Sequence, residues 1–293
     1  MTATAAPPTL RTLIDAPTLL ALQRSAAPAV LLDCSHDLFD AEAGARAYAA
    51  GHLPGAQHLH LERDLAGPQS AAGPRRGGRH PLPARAAWAA TVARLGIAPG
   101  VAVVAYDGQG GPYAARAWWL LRWLGHAQVA VLDGGPAAWL AAGGTLEPGQ
   151  APAPASAAPY PAGAAAMPVI DADALAARLG AACIVDARAD ERYCGEVEPL
   201  DPVAGHIPGA LNRFYRLNLD AAGRFKDAPT LRAEWRALLG ERAAAEVVQQ
   251  CGSGVTACHN LLALEHAGLG TSVLYPGSWS EWCADPGRPL ARG

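Results

Sequence analysis

The chain has 293 residues, 51% of them hydrophobic and 17% charged, with a formal net charge of −3. That is length for two domains and a globular composition rather than a disordered one. There is no basic excess to neutralise nucleic-acid phosphates, no apolar run near the roughly 20 residues of a membrane helix, and no secretory leader pattern at the start. Neither nucleic acid nor membrane is an expected partner, and a reducing cytoplasm is the expected location. Six cysteines (Cys34, Cys183, Cys194, Cys251, Cys258, Cys283) are too sparse for a disulfide framework, and no CxxC pair suggests a metal.

In chain order, AVLLD (29–33), VAVVAYD (101–107) and VAVLD (129–133) read as buried strands, with AARAWWLLRWLG (114–125) as a helix between the last two. The stretch 147–168, rich in proline and alanine, reads as an extended linker. ACIVDA (182–187), EVVQQ (246–250) and TSVLY (271–275) then repeat the strands, and LLALEHAG (261–268) repeats the helix. Other landmarks recur in the same order. GHLPGA (51–56) returns as GHIPGA (205–210), LLDCS (31–35) as IVDAR (184–188), and VLDGGPAAW (131–139) as LYPGSWSEW (274–282). The chain is therefore a duplication, with domains at 1–146 and 169–293 joined by 147–168. Strands alternating with helices imply, in each half, a mainly parallel sheet flanked by helices on both faces.

In such sheets ligands sit beyond the carboxyl ends of the strands, where QQCGSGVTACHN (249–260) places Cys251. Gly252 and Gly254 let the backbone curl so that N–H groups point inward, and a helix start follows. Both features favour thiolate over thiol and make Cys251 a nucleophile. The other reading is a buried cysteine before a turn; two glycines, two hydroxyl residues and a helix start together argue against it. The first half carries Asp107 opposite Cys251. A carboxylate cannot carry sulfur, so the chemistry is expected in the second half alone. A cysteine phosphatase would need arginine six positions after the cysteine, where Ala257 stands. The GH-x-PGA histidines, His52 and His206, occur in both copies and so read as structural. Cys258, Cys34 and Cys183 read as core, and Cys194 as a partly buried free thiol with a redox role as the alternative.

These motifs resemble the two-domain sulfurtransferases of the rhodanese superfamily over nearly the whole chain. CGSGVTA (251–257) is similar to the active loop of the 3-mercaptopyruvate sulfurtransferases, and VDARADERY (185–193), GHIPGA and GSWSEW (277–282) are further marks. The resemblance implies two tandem rhodanese-like domains and a persulfide cycle on Cys251, with no metal or organic cofactor. Five or six inward amides, among them those of Gly252, Gly254, Val255 and Thr256, would hold the charge. It also implies Arg192 as clamp for the donor carboxylate, Arg188 as a brace of its loop, and Tyr113 at the cleft mouth. Ser253, His80 and Glu62 would form a hydroxyl–imidazole–carboxylate relay; for His80 and Glu62 the alternative is a solvated loop histidine and a surface acid. A second family arginine has no match, Leu200 standing nearby. The expected donor is 3-mercaptopyruvate, with thiosulfate the alternative, and the acceptor a thiol, cyanide or a thioredoxin-like protein. The reading from another class is a relay module fed with persulfide by a partner protein.

Overall fold

The structure, a computed structural model, describes residues 9–293 other than 72, 74, 75 and 162. Nine strands are present among them: β1 (Leu13–Ile14), β2 (Val30–Asp33), β3 (Gln57–His58), β4 (Val103–Tyr106), β5 (Val129–Leu132), β6 (Cys183–Asp186), β7 (Leu211–Asn212), β8 (Val247–Gln250) and β9 (Val273–Leu274). They form two wholly parallel sheets, ordered β1-β5-β4-β2-β3 and β7-β6-β8-β9. The second sheet repeats the last four strands of the first in the same arrangement. Its counterpart of β1 is a single parallel bridge from Val169 to Leu274.

The helices are α1 (Ala16–Gln23), α2 (Ala43–Ala50), α3 (Arg85–Arg94), α4 (Pro112–Leu124) and α5 (Gly135–Ala141) in the first half. In the second they are α6 (Ala172–Ala176), α7 (Asp190–Tyr193), α8 (Ala228–Leu239), α9 (Ala257–His266) and α10 (Ser278–Trp282). Successive side chains of a strand face opposite ways, and this alternation sorts the core into layers. Val104, Tyr106, Ala130 and Leu132 pack with Leu19 of α1 and Trp139 of α5 on the outer face of the first sheet. Val103, Ala105, Val129 and Val131 face inward to α3 and α4, in a core that continues through α9 and α8 to Val185 and Val247 of the second sheet. Beyond that sheet, Ile184 and Val248 meet Leu175 of α6 and Trp279 of α10. One apolar layer of helices is thus shared by both sheets, which fixes the two strand-end loops relative to each other.

The described residues of 147–168 run over the first half. Tyr48 Oη accepts the amide of Ala151 at 3.1 Å, and Arg85 donates to the Gly163 carbonyl at 2.5 Å. The two GH-x-PGA turns match each other in detail. His52 stacks on Tyr48 and His206 on Tyr193, both with ring centroids 3.9 Å apart, and each histidine reaches that tyrosine's carbonyl through Nδ1 at 2.9 Å. No helix among the described residues is long and apolar enough to cross a membrane.

Candidate active site

β8 ends at Gln250, and residues 251–256 turn directly into α9. Gly254 has φ +76°, and a β-carbon there would stand 2.3 Å from the Pro276 carbonyl oxygen, so the turn requires glycine. The segment of α10 braces the loop from beneath. The Cys251 amide donates to Ser278 Oγ at 3.1 Å, and the amides of Trp279 and Ser280 donate to the carbonyls of Cys251 and Gly252. To do this Ser278 adopts φ 53°, the one left-handed non-glycine conformation among the described residues. Cys251 is 2% exposed, and the Gly254 amide donates to its Sγ at 3.2 Å.

The sister loop after β4 displays the anion cradle fully formed. Asp107 Oδ1 accepts the amides of Gln109 at 2.8 Å and Gly111 at 2.9 Å, and Oδ2 accepts those of Tyr113 at 2.9 Å and Ala114 at 3.0 Å. Burial pushes this carboxyl above its ordinary range while the four amides pull it back. The duplicate loop therefore holds its own carboxylate where the second half presents a sulfur. Around Cys251 only Gly254 contributes an amide within hydrogen-bond reach of Sγ among the described residues, fewer than the five or six expected. One sulfur on a short side chain meets fewer donors than the two oxygens of a carboxylate, which reach one atom further from the backbone into the turn.

A cleft of about 300 Å³ is lined from both halves, by Gln109 and Tyr113 from the first and Arg188, Arg192, Tyr215 and Thr256 from the second. Val255 is buried, and Tyr113 is 5% exposed and edge-on to His36. A larger recess of about 680 Å³, lined by Asp15, Asp133, Asp220 and Arg224 among others, includes no part of the loop.

Ser253 and His80, far apart in sequence, are brought together: Ser253 Oγ and His80 Nδ1 lie 2.7 Å apart, both residues buried. Burial, with Arg79 and Arg116 alongside, lowers the His80 imidazole to about 3, so it is neutral at physiological pH. Glu62 is not brought to it. That side chain is exposed, its amide donates to His60 Nδ1 at 3.2 Å, and it makes no hydrogen bond or ion pair to His80 among the described residues. The structure thus does not bring the carboxylate end of the expected relay to the pair: the loop of Glu62 is held by His60, whose Nδ1 accepts the Glu62 amide and whose Nε2 lies 2.9 Å from the Ala41 carbonyl.

Arg188 is 3% exposed. It forks onto Asp186 at 2.7 to 3.1 Å, reaches Glu198 and the Gly205 carbonyl, and lies over the Trp279 ring. With those donors engaged inside the protein it is a brace. Arg192 uses Nε and Nη2 on Glu198, with Nη2 also 3.5 Å from Asp201, and its side chain keeps 18% exposure.

Two further arginines escaped the sequence reading. Arg79 pairs through Nη1 with Asp201, and its amide donates to Ser280 Oγ at 3.0 Å. Its position beside His80 in GGRHP was the available signal. Arg116, in the middle of α4, is fully buried and donates to four carbonyls: Gly254 at 3.0 Å, His80 at 3.2 Å, Leu65 at 3.3 Å and Pro81 at 3.5 Å. An arginine among AARAWW, flanked by alanines and tryptophans, was the sign of an inward-facing charge. Cys258 is core, its thiol donating to the Gly254 carbonyl at 3.4 Å and pushed up to about 12 by burial.

Two parallel sheets sharing one helical layer, with a strand-end cysteine loop in the second and its Asp107-bearing copy in the first, define a duplicated rhodanese architecture. The rhodanese-like domain pattern matches residues 16–142 and 171–285, and the chain belongs to that family. It is 47% identical, over 94% of its length and 96% of the relative's, to a probable 3-mercaptopyruvate sulfurtransferase of Pseudomonas aeruginosa. It is 41% identical, over 96% of its length and 97% of the relative's, to a putative thiosulfate sulfurtransferase SseB of Mycobacterium tuberculosis. The 3-mercaptopyruvate sulfurtransferase from Leishmania major has a similar fold, with TM-score 0.81 and 30% identity, covering 94% of this chain and 74% of that one. The protein is a sulfurtransferase.

Proposed function

We propose that the donor is 3-mercaptopyruvate and that Cys251 carries its sulfur as a persulfide. The observation that supports this reading is that three of the four arginines around the loop are each paired with an acid, the fourth, Arg116, lying fully buried on backbone carbonyls. Arg188 is matched by Asp186, Arg192 by Glu198 and Arg79 by Asp201, all three carboxylates being at most 3% exposed. A dianion such as thiosulfate gains most from uncompensated cations. A monoanionic keto acid needs directed donors instead, and the guanidiniums supply those without net charge.

The Cys251 thiolate attacks the donor sulfur, and the carbon–sulfur bond breaks with its electron pair going to carbon. The resulting enolate of pyruvate takes up the proton that the donor thiol brought, leaving pyruvate and a Cys251 persulfide anion. The Gly254 amide, already on Sγ, steadies that charge. Ser253, oriented by the neutral His80, donates its hydroxyl proton toward the keto oxygen as the enolate forms. Arg192 takes the donor carboxylate, and Tyr113 and Thr256 wall the cleft. Discharge to cyanide transfers the outer sulfur as thiocyanate and restores the thiolate; thiols or a protein thiol react at the same atom. Side-by-side kcat/KM values for the two donors with cyanide test the reading. A ratio of tenfold or more in favour of mercaptopyruvate is expected, and a preference for thiosulfate overturns the donor assignment.

A further inference from the structure

Gly252, next to the nucleophile, lies under two guanidinium groups from different halves of the chain. A β-carbon on it would stand 3.2 Å from Arg79 Nη2 and 3.5 Å from both Nη1 and Nη2 of Arg192. Each arginine spends part of its donor set on a buried acid: Arg79 through Nη1 on Asp201, Arg192 through Nε and Nη2 on Glu198. Among the nitrogens that remain, Arg79 Nη2 and Arg192 Nη1 make no hydrogen bond or ion pair among the described residues. Both approach Gly252, as does the engaged Arg192 Nη2. Asp201 contacts both guanidiniums, with Arg192 Nη2 at 3.5 Å from its Oδ2, and so offsets the repulsion between them.

We propose that Arg79 and Arg192 together form the seat for the donor's carboxylate, one oxygen on each guanidinium. Arg79, supplied by the first half, would thereby be a specificity-determining residue of a site whose nucleophile lies in the second. In mercaptopyruvate the sulfur and the carboxylate are separated by two carbons. A sulfur placed at Cys251 therefore puts the carboxylate about one residue away, beside Gly252. The seat also gives the first half a role in donor selection besides scaffolding, because Arg79 lies next to His80, the partner of Ser253.

This inference rests on mercaptopyruvate being the donor, and its test separates the two claims. KM and kcat for mercaptopyruvate would be measured with cyanide for the full-length wild type, Arg79→Gln and Arg79→Lys, together with discharge of pre-formed persulfide by cyanide alone. Loss of one charge-assisted hydrogen bond predicts a roughly tenfold to hundredfold rise in KM for Arg79→Gln, with Arg79→Lys intermediate and discharge unchanged in both. An unchanged KM in Arg79→Gln overturns the seat. So does a discharge rate that falls in parallel with the KM effect, because that would mean the loop itself had been distorted. Asp201→Asn provides the second arm: it removes the ion pair and keeps the guanidinium, so its KM should rise less than that of Arg79→Gln. An equal rise would make Arg79 a structural partner of Asp201 and overturn the proposal. If the wild type does not turn over mercaptopyruvate at all, the donor reading fails first.

Discussion

At the scale of single residues, the site separates side chains that touch the loop from those that only flank it. Ser253 and His80 are joined by a 2.7 Å contact in a buried setting, whereas Glu62 is exposed and out of contact with both. Positioned proton donors typically contribute factors of about 100 or more. Ser253→Ala should therefore lower kcat with mercaptopyruvate by at least about tenfold, and Glu62→Gln should leave it within about twofold. Steady-state kinetics of the two variants check this; a comparable loss in Glu62→Gln would restore a relay that the geometry does not contain. The serine was legible because it lies in a local motif. The acid was not, because its identity depends on which way a loop is turned, and here His60 turns it.

At the scale of elements, α4 and α9 join the halves by a reciprocal exchange. Arg116 of α4 donates to the Gly254 carbonyl in the Cys251 loop, and His259 of α9 reaches the Gly110 carbonyl in the Asp107 loop at 3.0 Å. Each of these residues stands at the corresponding place in its helix, nine positions before the glycine that follows (Gly125, Gly268). Each loop is thus steadied by the other domain's helix. Arg116→Met would take a donor from the carbonyls of Leu65, His80, Pro81 and Gly254, of which Pro81 keeps the Gly67 amide and Gly254 the Cys258 thiol, each lost bond being worth on the order of 1 kcal/mol. The urea midpoint should fall by the equivalent of about 3 kcal/mol, and kcat should fall with it because Gly254 also donates to Sγ. Unchanged stability would show that the carbonyls find other donors. Six of the nine strands, helices α4 and α9 and the order of the repeats were readable from periodicity and duplication, whereas the two-residue strands β1, β3 and β7 are too short to carry a pattern. The exchange was not, since nothing local in a sequence tells which partner a buried arginine or histidine will meet. Arg79 escaped for the same reason: its partners, Asp201 and the face of Gly252, come from the other half of the chain.

At the scale of the whole molecule, the shared helical layer buries imidazoles in their neutral form. Burial lowers His80 to about 3 and His259 to about 4. In the unfolded chain both would take up protons near pH 6.5. Between these limits the unfolded state binds more protons, so stability rises with pH and is lost as pH drops below about 6.5. From pH 7 to pH 5.5 the unfolding free energy should decrease by about 1 kcal/mol for each imidazole. Urea titrations at the two pH values check this, and a flat or opposite trend would mean that both histidines are charged in the fold. The asymmetry of the duplicates belongs to this scale too. One strand-end loop closes four amides on its own Asp107, and the other carries the buried Cys251 and lends Thr256 to a cleft that both halves line.

The central claim is that Cys251 itself carries the transferred sulfur. Peptide mass spectrometry after incubation with mercaptopyruvate, with no acceptor present, tests it directly. The account predicts one added sulfur, about 32 Da, on the peptide containing Cys251, removed again by cyanide. Turnover with no adduct there, or with the sulfur on Cys194 instead, would contradict it.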